Sequence, residues 1–443
     1  MGRAGVGMAM ALSKSGARVT VVDAKSGDSP EMVAALDRLG AFDVDTVTDW
    51  TGSLPTTDLE ALAVSPGVPQ DHPAVLAALS HGIPVWGEME VAYRTTQSPI
   101  IAITGTNGKS TVTALTWHLL REAGASAWLC GNIAGAGLGE KPIGEICWKT
   151  GDSDWLVAEV SSFQLEWVHA FRPRAATITN ITKDHLDRYA TIEEYASMKH
   201  RIFMQMAGGD VAVLSRFHPE TLPPYPIRCA MRWIGPSDQD DLTIREEEIV
   251  LAGESLLREQ DLWLPARHNL ENAAAALLLA SAAGFELRSL APHVLSFQGI
   301  ANRMERVAEH SGLIFINNSM CTNPAALHSS LAACPKPIRL VAGGIAKAES
   351  WKEYRGISNQ DVRRAYLYGR DAELLKQAFE ADGVDCAVFT AMEDAVRAAY
   401  HDALEGDVIL LSPACASFDQ FSGFEERGER FRETVLSLGE TER

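Results

Sequence analysis

Short runs of consecutive apolar residues, each followed by a stretch of helical period, recur along most of the chain. Uninterrupted apolar strands of this kind belong to sheets that are covered on both faces, where neither side of the strand meets water. Strands are expected at 18–23, 84–87, 100–104, 126–130, 154–160, 175–181 and 210–215, with helices between most of them. Around "LTIREEEIVLAGESLLRE" the pattern changes to short alternation, which predicts a hairpin insertion. A further block begins near Gly299, with strands expected at 313–317, 338–342, 364–368 and 407–411. Strand–helix alternation predicts an α/β fold of parallel sheets. Boundaries fall near 97 and 299, giving blocks 1–97, 98–298 and 299–443, each with its own small sheet.

The opening "MGRAGVGMAMALSKSGARVTVVDAK" can mimic a signal peptide, because Arg3 precedes a short apolar run. The preferred reading places Gly2, Gly5 and Gly7 before a helix and a strand ending at Asp23, like the first turn of a nucleotide-binding α/β unit. The strand that should precede Gly2 is missing, so the sheet is expected to lack an edge or the chain to start late.

Composition narrows the function. A formal net charge of -19 argues against non-specific binding to nucleic acid or anionic membranes, since both select a positive surface. The longest apolar stretch, "AAAALLLASAAG", is too short for a membrane span and reads as a buried helix. Seven scattered cysteines without a C-x-x-C pair point to free thiols in a reducing compartment, so the cytoplasm is the expected location.

The chemistry concentrates in the middle block. In "PIIAITGTNGKSTVTALTWHLLREAG", Gly105 and Gly108 free the backbone of Thr106 and Asn107 to turn successive N–H groups toward a phosphate at a helix N-terminus. Lys109 adds a positive charge, and Ser110 or Thr111 adds a hydroxyl suited to Mg²⁺. The glycine expected five residues before Gly108 is replaced by Ile103, so the loop is a shortened relative of the Walker pattern. An ordinary strand–helix turn containing Gly-Lys-Ser is the plainer alternative. "DWLVAEVSSFQLE" delivers Glu159 at the C-terminal end of a strand, where α/β sheets place ligand-handling residues; a capping or surface glutamate is the alternative. "ITNITKDHLDRY" puts Asp184, His185 and Asp187 on the same rim, although a lone histidine is more often structural. By position alone, Lys199 in "IEEYASMKHRIF" reads as solvated surface.

"GTNGKST", "GNIAG", "EVSSFQLE", "NITKDHLDRY", "MKHRIF" and "RHNLENAAAA" resemble, in order and spacing, the Mur ligases, the ATP-dependent amide ligases of bacterial peptidoglycan synthesis. "LLSPACASFDQFSGFEERGERF" is similar to the D-glutamate-adding branch. The resemblance implies three domains: a Rossmann-like domain binding a UDP-sugar, a P-loop ATPase domain and a Rossmann-like amino-acid domain. It implies ATP and Mg²⁺ as cofactors, and UDP-N-acetylmuramoyl-L-alanine and D-glutamate as substrates of a monomer. The γ-phosphate would pass to the alanyl carboxylate, and D-glutamate's amine would attack the resulting acyl phosphate. Lys109 would hold phosphates, Ser110 and Glu159 one Mg²⁺, and His185 a second, with Lys199 carbamylated by CO₂ as an anionic ligand. Asn272 and Arg303 match ATP-binding positions. Asn132 and Ser161 match substrate positions; Gly5, Asp23 and Gly67 fall in the UDP-binding domain. Thr322, Lys347, Ser412 or Ser417, and Phe424 are candidates for D-glutamate.

The sequence departs from that family where it reads "NNSMCTN": Asn318 stands for an aspartate and Met320 for a lysine, both expected near ATP. "GGIAK" lacks the usual Asp-Gly pair before Lys347. Asn318 is expected to keep a ribose contact through its amide oxygen, and the missing charge to be dispensable or supplied by Lys347 or Arg303. A ligase using another amino acid, such as L-glutamate, and a catalytically silent nucleotide-binding regulator are the alternatives.

Overall fold

The computed structural model describes residues 1–51, 58–184, 188–347, 350–357 and 360–440. Contacts group the chain into two compact units, one of Met1–Ala134, Leu138–Arg258 and Leu270–Val294, the other of Gly135–Gly137, Glu259–Asn269 and Leu295–Arg443.

Within the first unit, the N-terminal block forms two separate parallel strand pairs, β1 (Val19–Val22) with β2 (Val44–Val47) and β3 (Leu62–Ala63) with β4 (Val85–Trp86). A single small sheet was the expectation there. Strands of two to four residues leave little ladder to join the pairs. Gly5 and Gly7 also differ from expectation: they lie inside the helix Arg3–Lys14, not in a turn before it. Their lack of a side chain serves packing. A Cβ on Gly7 would sit 3.2 Å from the Glu145 nitrogen, and one on Gly5 would sit 3.0 Å from Ser65 Oγ.

The rest of this unit is built on one large sheet of strands β5 (Ile100–Thr104), β6 (Ser126–Gly131), β7 (Asp154–Glu159), β8 (Ala175–Ile178), β9 (Val211–Ser215), β10 (Ala230–Gly235), β11 (Leu242–Arg245), β12 (Glu248–Leu251) and β13 (Glu254–Arg258). Their spatial order is β13-β12-β11-β10-β9-β8-β5-β7-β6. Pairing is parallel from β6 to β11 and antiparallel beyond it. The expected hairpin is therefore an antiparallel extension of the main sheet, with the unanticipated β10 joining the two parts. Every residue of β5 and β8 is buried, which explains their unbroken apolar sequence. Leu156, Ala158, Ala176 and Ile178 pack with Ala212 and Leu214 in the core.

The second unit holds a six-stranded sheet of β14 (Glu305–His310), β15 (Leu313–Asn317), β16 (Ile338–Gly343), β17 (Val362–Tyr368), β18 (Asp385–Phe389) and β19 (Val408–Leu411). Its order is β14-β15-β19-β16-β17-β18. Only β14 runs antiparallel. β14 and β18, absent from the expectation, are the edges, where polar residues interrupt the apolar run. Phe315, Val341, Tyr366, Ile409 and Phe431 form the core. Among the described residues no helix is long and apolar enough to cross a membrane.

Candidate active site

β5 ends at Thr104 and the helix Lys109–Glu122 begins after four intervening residues, so the loop between them lies at the C-terminal rim of the parallel sheet. Gly105 (φ 146°) and Gly108 (φ 80°) take backbone conformations that favour glycine. Space imposes the same choice: a Cβ on Gly105 would lie 1.9 Å from Thr179 Oγ1, and one on Gly108 2.7 Å from Asn272 Oδ1. The second approach places the Asn272 side chain against the loop.

The strand next door, β8, leads into a segment that braces the loop. Thr106 N–H donates to the Asn180 carbonyl at 2.9 Å, Asn107 N–H to Asn180 Oδ1 at 3.0 Å, and Thr179 Oγ1 to the Asn107 carbonyl at 2.5 Å. Lys109 Nζ donates to the Thr106 carbonyl at 2.7 Å, which draws the ammonium over the loop. Thr111 sits in the first turn of the helix, one residue beyond Ser110.

Ser110 and Glu159 come together across the β5–β7 pair. Ser110 Oγ donates to Glu159 Oε2 at 2.6 Å, and Asn132 Nδ2 donates to Oε1 at 2.9 Å. Both Ser110 and Glu159 are buried. Gly131 permits this approach, since a Cβ there would meet the Glu159 carbonyl at 2.2 Å. The result is a hydroxyl and a carboxylate, hard oxygen donors fixed beside the 105–108 loop, and that donor set suits Mg²⁺. Ser161 caps the short helix Ser162–Leu165 and exchanges hydrogen bonds with Gln164 in a capping box. Gln164 is held in turn by its Nε2 donating to the buried Glu88 at 2.6 Å.

Lys199 is not on the surface. It is 1% exposed, and its Nζ donates to the Gly105 carbonyl at 2.8 Å and lies 4.5 Å from the centre of the Tyr195 ring. Burial strips water from the ammonium, and Lys109 repels it. Asp184 and Glu159 oppose the shift, but the pKa is still drawn down to about 7. His185 and Asp187 lie outside the described residues.

In the N-terminal block, Gly5 abuts the turn Ser65–Val68, which contains Gly67. Asp23 lies at the end of β1 and accepts the Lys25 N–H at 2.9 Å.

In the second unit, Lys347 Nζ donates to Thr322 Oγ1 at 3.3 Å, joining two of the expected amino-acid residues. Phe424 begins the last helix, and its ring lies 2.6 Å from where a Cβ on Gly135 would be. Ser412 and Ser417 are both buried. Ser412 Oγ is engaged internally by Asn318 Nδ2 at 3.3 Å and by Ser330 Oγ at 2.7 Å. Asn318 itself is committed within the fold, since its Oδ1 also accepts the Met304 N–H at 3.2 Å. Arg303 points its Nε–H and Nη2–H at the Met320 sulfur.

Residues 103–280 match the Mur ligase middle domain and residues 302–415 the Mur ligase glutamate ligase domain. The chain is 39% identical over 449 residues to the UDP-N-acetylmuramoylalanine–D-glutamate ligase of Pelotomaculum thermopropionicum, covering 99% of this chain and 96% of that protein. The chain belongs to the Mur ligase family. It is thereby an ATP-dependent ligase of peptidoglycan synthesis. The D-glutamate ligase of Caldanaerobacter subterraneus is 35% identical, covering 99% and 97% of the two chains. The fold is that of a solved Mur ligase, MurF of Thermotoga maritima in complex with ADP, with a TM-score of 0.57 at 13% identity over 98% of this chain and 99% of that one.

For this Mur ligase, sequence reading missed Thr179, Asn180, Gln164 and Glu88. Asn180 stood inside "NITKDHLDRY", but only the folded loop shows that it holds Thr106 and Asn107. Glu88 left no local signal, because its partner lies 76 residues away.

Proposed function

We propose that this ligase joins D-glutamate to UDP-N-acetylmuramoyl-L-alanine through an acyl phosphate. The observation that carries the reading is the convergence of the phosphate loop, the Ser110–Glu159 pair and a lysine whose pKa is near neutrality on one rim of one sheet.

The substrate carboxylate attacks the γ-phosphorus of ATP and ADP leaves. The D-glutamate amine then attacks the acyl carbon, losing a proton, and inorganic phosphate departs with the electron pair of the broken C–O bond. A carboxylate is a poor electrophile, so phosphorylation supplies the leaving group. The protein positions the reactants and neutralises charge. The loop N–H groups and Lys109 hold the β- and γ-phosphates, with Asn272 and Arg303 as further ATP contacts. Ser110 and Glu159 would hold Mg²⁺, which when bound neutralises phosphate oxygens. The neutral Lys199 amine adds to CO₂ and releases a proton, replacing a repulsive ammonium by an anionic oxygen ligand; His185 would help hold the second Mg²⁺. Asn132 and Ser161 contact the UDP-sugar, and Thr322, Lys347, Ser417 and Phe424 contact D-glutamate. Residues 1–97, 98–298 and 299–443 are assigned as UDP-sugar, ATP and amino-acid domains.

Phosphate release from ATP tests the reading. It should require both UDP-N-acetylmuramoyl-L-alanine and an amino acid, with D-glutamate far better than L-glutamate. Hydrolysis indifferent to both would indicate a regulator, and equal use of L-glutamate a ligase of different choice.

A further inference from the structure

The two departures in "NNSMCTN" meet at one residue. Arg303 sits between Asn302 (φ 62°) and Met304 (φ 46°), two non-glycine residues in the left-handed region. Such a turn persists only where its surroundings hold it. The holding groups come from the segment that carries the departures. Asn317 Nδ2 donates to Asn302 Oδ1 at 3.0 Å, Asn318 Oδ1 accepts the Met304 N–H at 3.2 Å, and the Met320 N–H donates to the Asn302 carbonyl at 3.0 Å.

The Met320 side chain then takes the arginine head itself. Its sulfur accepts from Arg303 Nε at 3.2 Å and from Nη2 at 3.0 Å, so one edge of the planar guanidinium is seated on a polarizable thioether. The sulfur is a weak acceptor and carries no charge. It orients the guanidinium and contributes no countercharge of its own.

We propose that Met320, with Asn318, forms a neutral cradle that positions Arg303. Met320 is a positioning residue: it acts through the arginine and replaces a second cation by a device that aims the first. Asn318 suits the same cradle because its amide accepts from Met304 while donating to Ser412 Oγ at 3.3 Å. A lysine at 320 would place an ammonium where the sulfur stands, about 3 Å from the guanidinium, where like charges repel strongly even in a polarizable surrounding. Restoring the cation at this position is therefore harmful to this chain.

The kinetic part of the test rests on the proposed role of Arg303 toward ATP. Met320→Leu keeps the volume and loses the acceptor; it should raise the KM for ATP about fivefold with kcat changed less, and leave the unfolding midpoint in place. Met320→Lys should raise that KM by roughly tenfold or more, and Met320→Gln, whose amide oxygen can accept, should recover most of the loss. In an Arg303→Ala background neither substitution should shift the KM further. A Met320→Lys enzyme with a lower KM than the parent, or a Met320→Leu effect that persists without Arg303, overturns the proposal. A second readout separates the cradle from the ligase reading. In protein labelled at the methionine methyl carbons, the Met320 signal, assigned by its loss in Met320→Leu, should move on Arg303→Ala more than those of methionines elsewhere. If it stays in place, the cradle is wrong whatever the enzyme catalyses; if it moves while ATP cleavage ignores D-glutamate, the ligase reading is wrong and the cradle stands.

Discussion

Replacing Lys199 by methionine should abolish turnover and stabilise the fold. The side chain is 1% exposed and its pKa falls from 10.5 to about 7 through burial and the nearby Lys109 charge. At pH 7.5 roughly three-quarters of the amine is neutral, against about one part in a thousand for an unperturbed lysine. The folded-state pKa lies below that of the unfolded chain, so the unfolded chain binds the extra proton between pH 7 and pH 10.5 and stability rises with pH across that window. The penalty carried by the wild type is about 5 kcal/mol below pH 7, about 4 kcal/mol at pH 7.5, and nearly gone by pH 10.5. Methionine removes it but forfeits the hydrogen bonds to the Gly105 carbonyl and Thr104 Oγ1, worth about 1 kcal/mol each. The net gain at pH 7.5 is about 2 kcal/mol, equivalent to a rise of roughly 2 °C in Tm for a chain of 443 residues. Thermal unfolding in bicarbonate-free buffer at several pH values, with phosphate release measured in parallel, checks both halves. A variant no more stable than the parent at pH 7.5, or a gap that fails to narrow toward pH 10, would refute the electrostatic argument. Near-normal turnover would remove Lys199 from the mechanism.

Glu159→Gln keeps shape and an acceptor for Asn132 but loses the charge offered with Ser110; kcat should drop by roughly a hundredfold or more while the unfolding midpoint stays within error, as steady-state kinetics and melting will show. Gly108→Ala meets both a φ of 80° and an approach of 2.7 Å to Asn272 Oδ1, so calorimetric titration should find ATP affinity reduced about tenfold or more, alongside a backbone cost of about 1–2 kcal/mol. Arg427 is fully buried and donates to Ser319 Oγ at 2.9 Å, the Ser319 carbonyl at 2.8 Å and the Cys415 carbonyl at 3.0 Å. Arg427→Met strands these acceptors and should cost about 3 kcal/mol, seen as a lower urea midpoint.

The sequence by itself determined the alternating parallel architecture, because strands buried on both faces must be apolar throughout. It also determined the turn at 105–108, since glycines between an apolar strand and a helix announce a backbone that side chains would bar; the lysine and serine that follow supply the charge and hydroxyl on which the proposed phosphate role rests. The glycine signal failed at the N-terminus, where Gly5 and Gly7 permit helix packing and do not form a turn; composition alone cannot distinguish those two uses of a missing side chain. Edge strands β14 and β18 escaped detection because one-sided burial admits polar residues.

Tertiary structure decided the site. Position on a helix makes Lys199 look solvated; the fold packs it against the end of β5 and the Tyr195 ring, and that burial, with the nearby Lys109 charge, brings its pKa near 7. Glu159 and Ser110 are 49 residues apart and meet because β5 and β7 are neighbours in the sheet. Met320 read in isolation is a lost charge. Its sulfur becomes an acceptor once the turn at 302–304 folds against it, and such a contact depends on distance and direction, which residue identity does not encode.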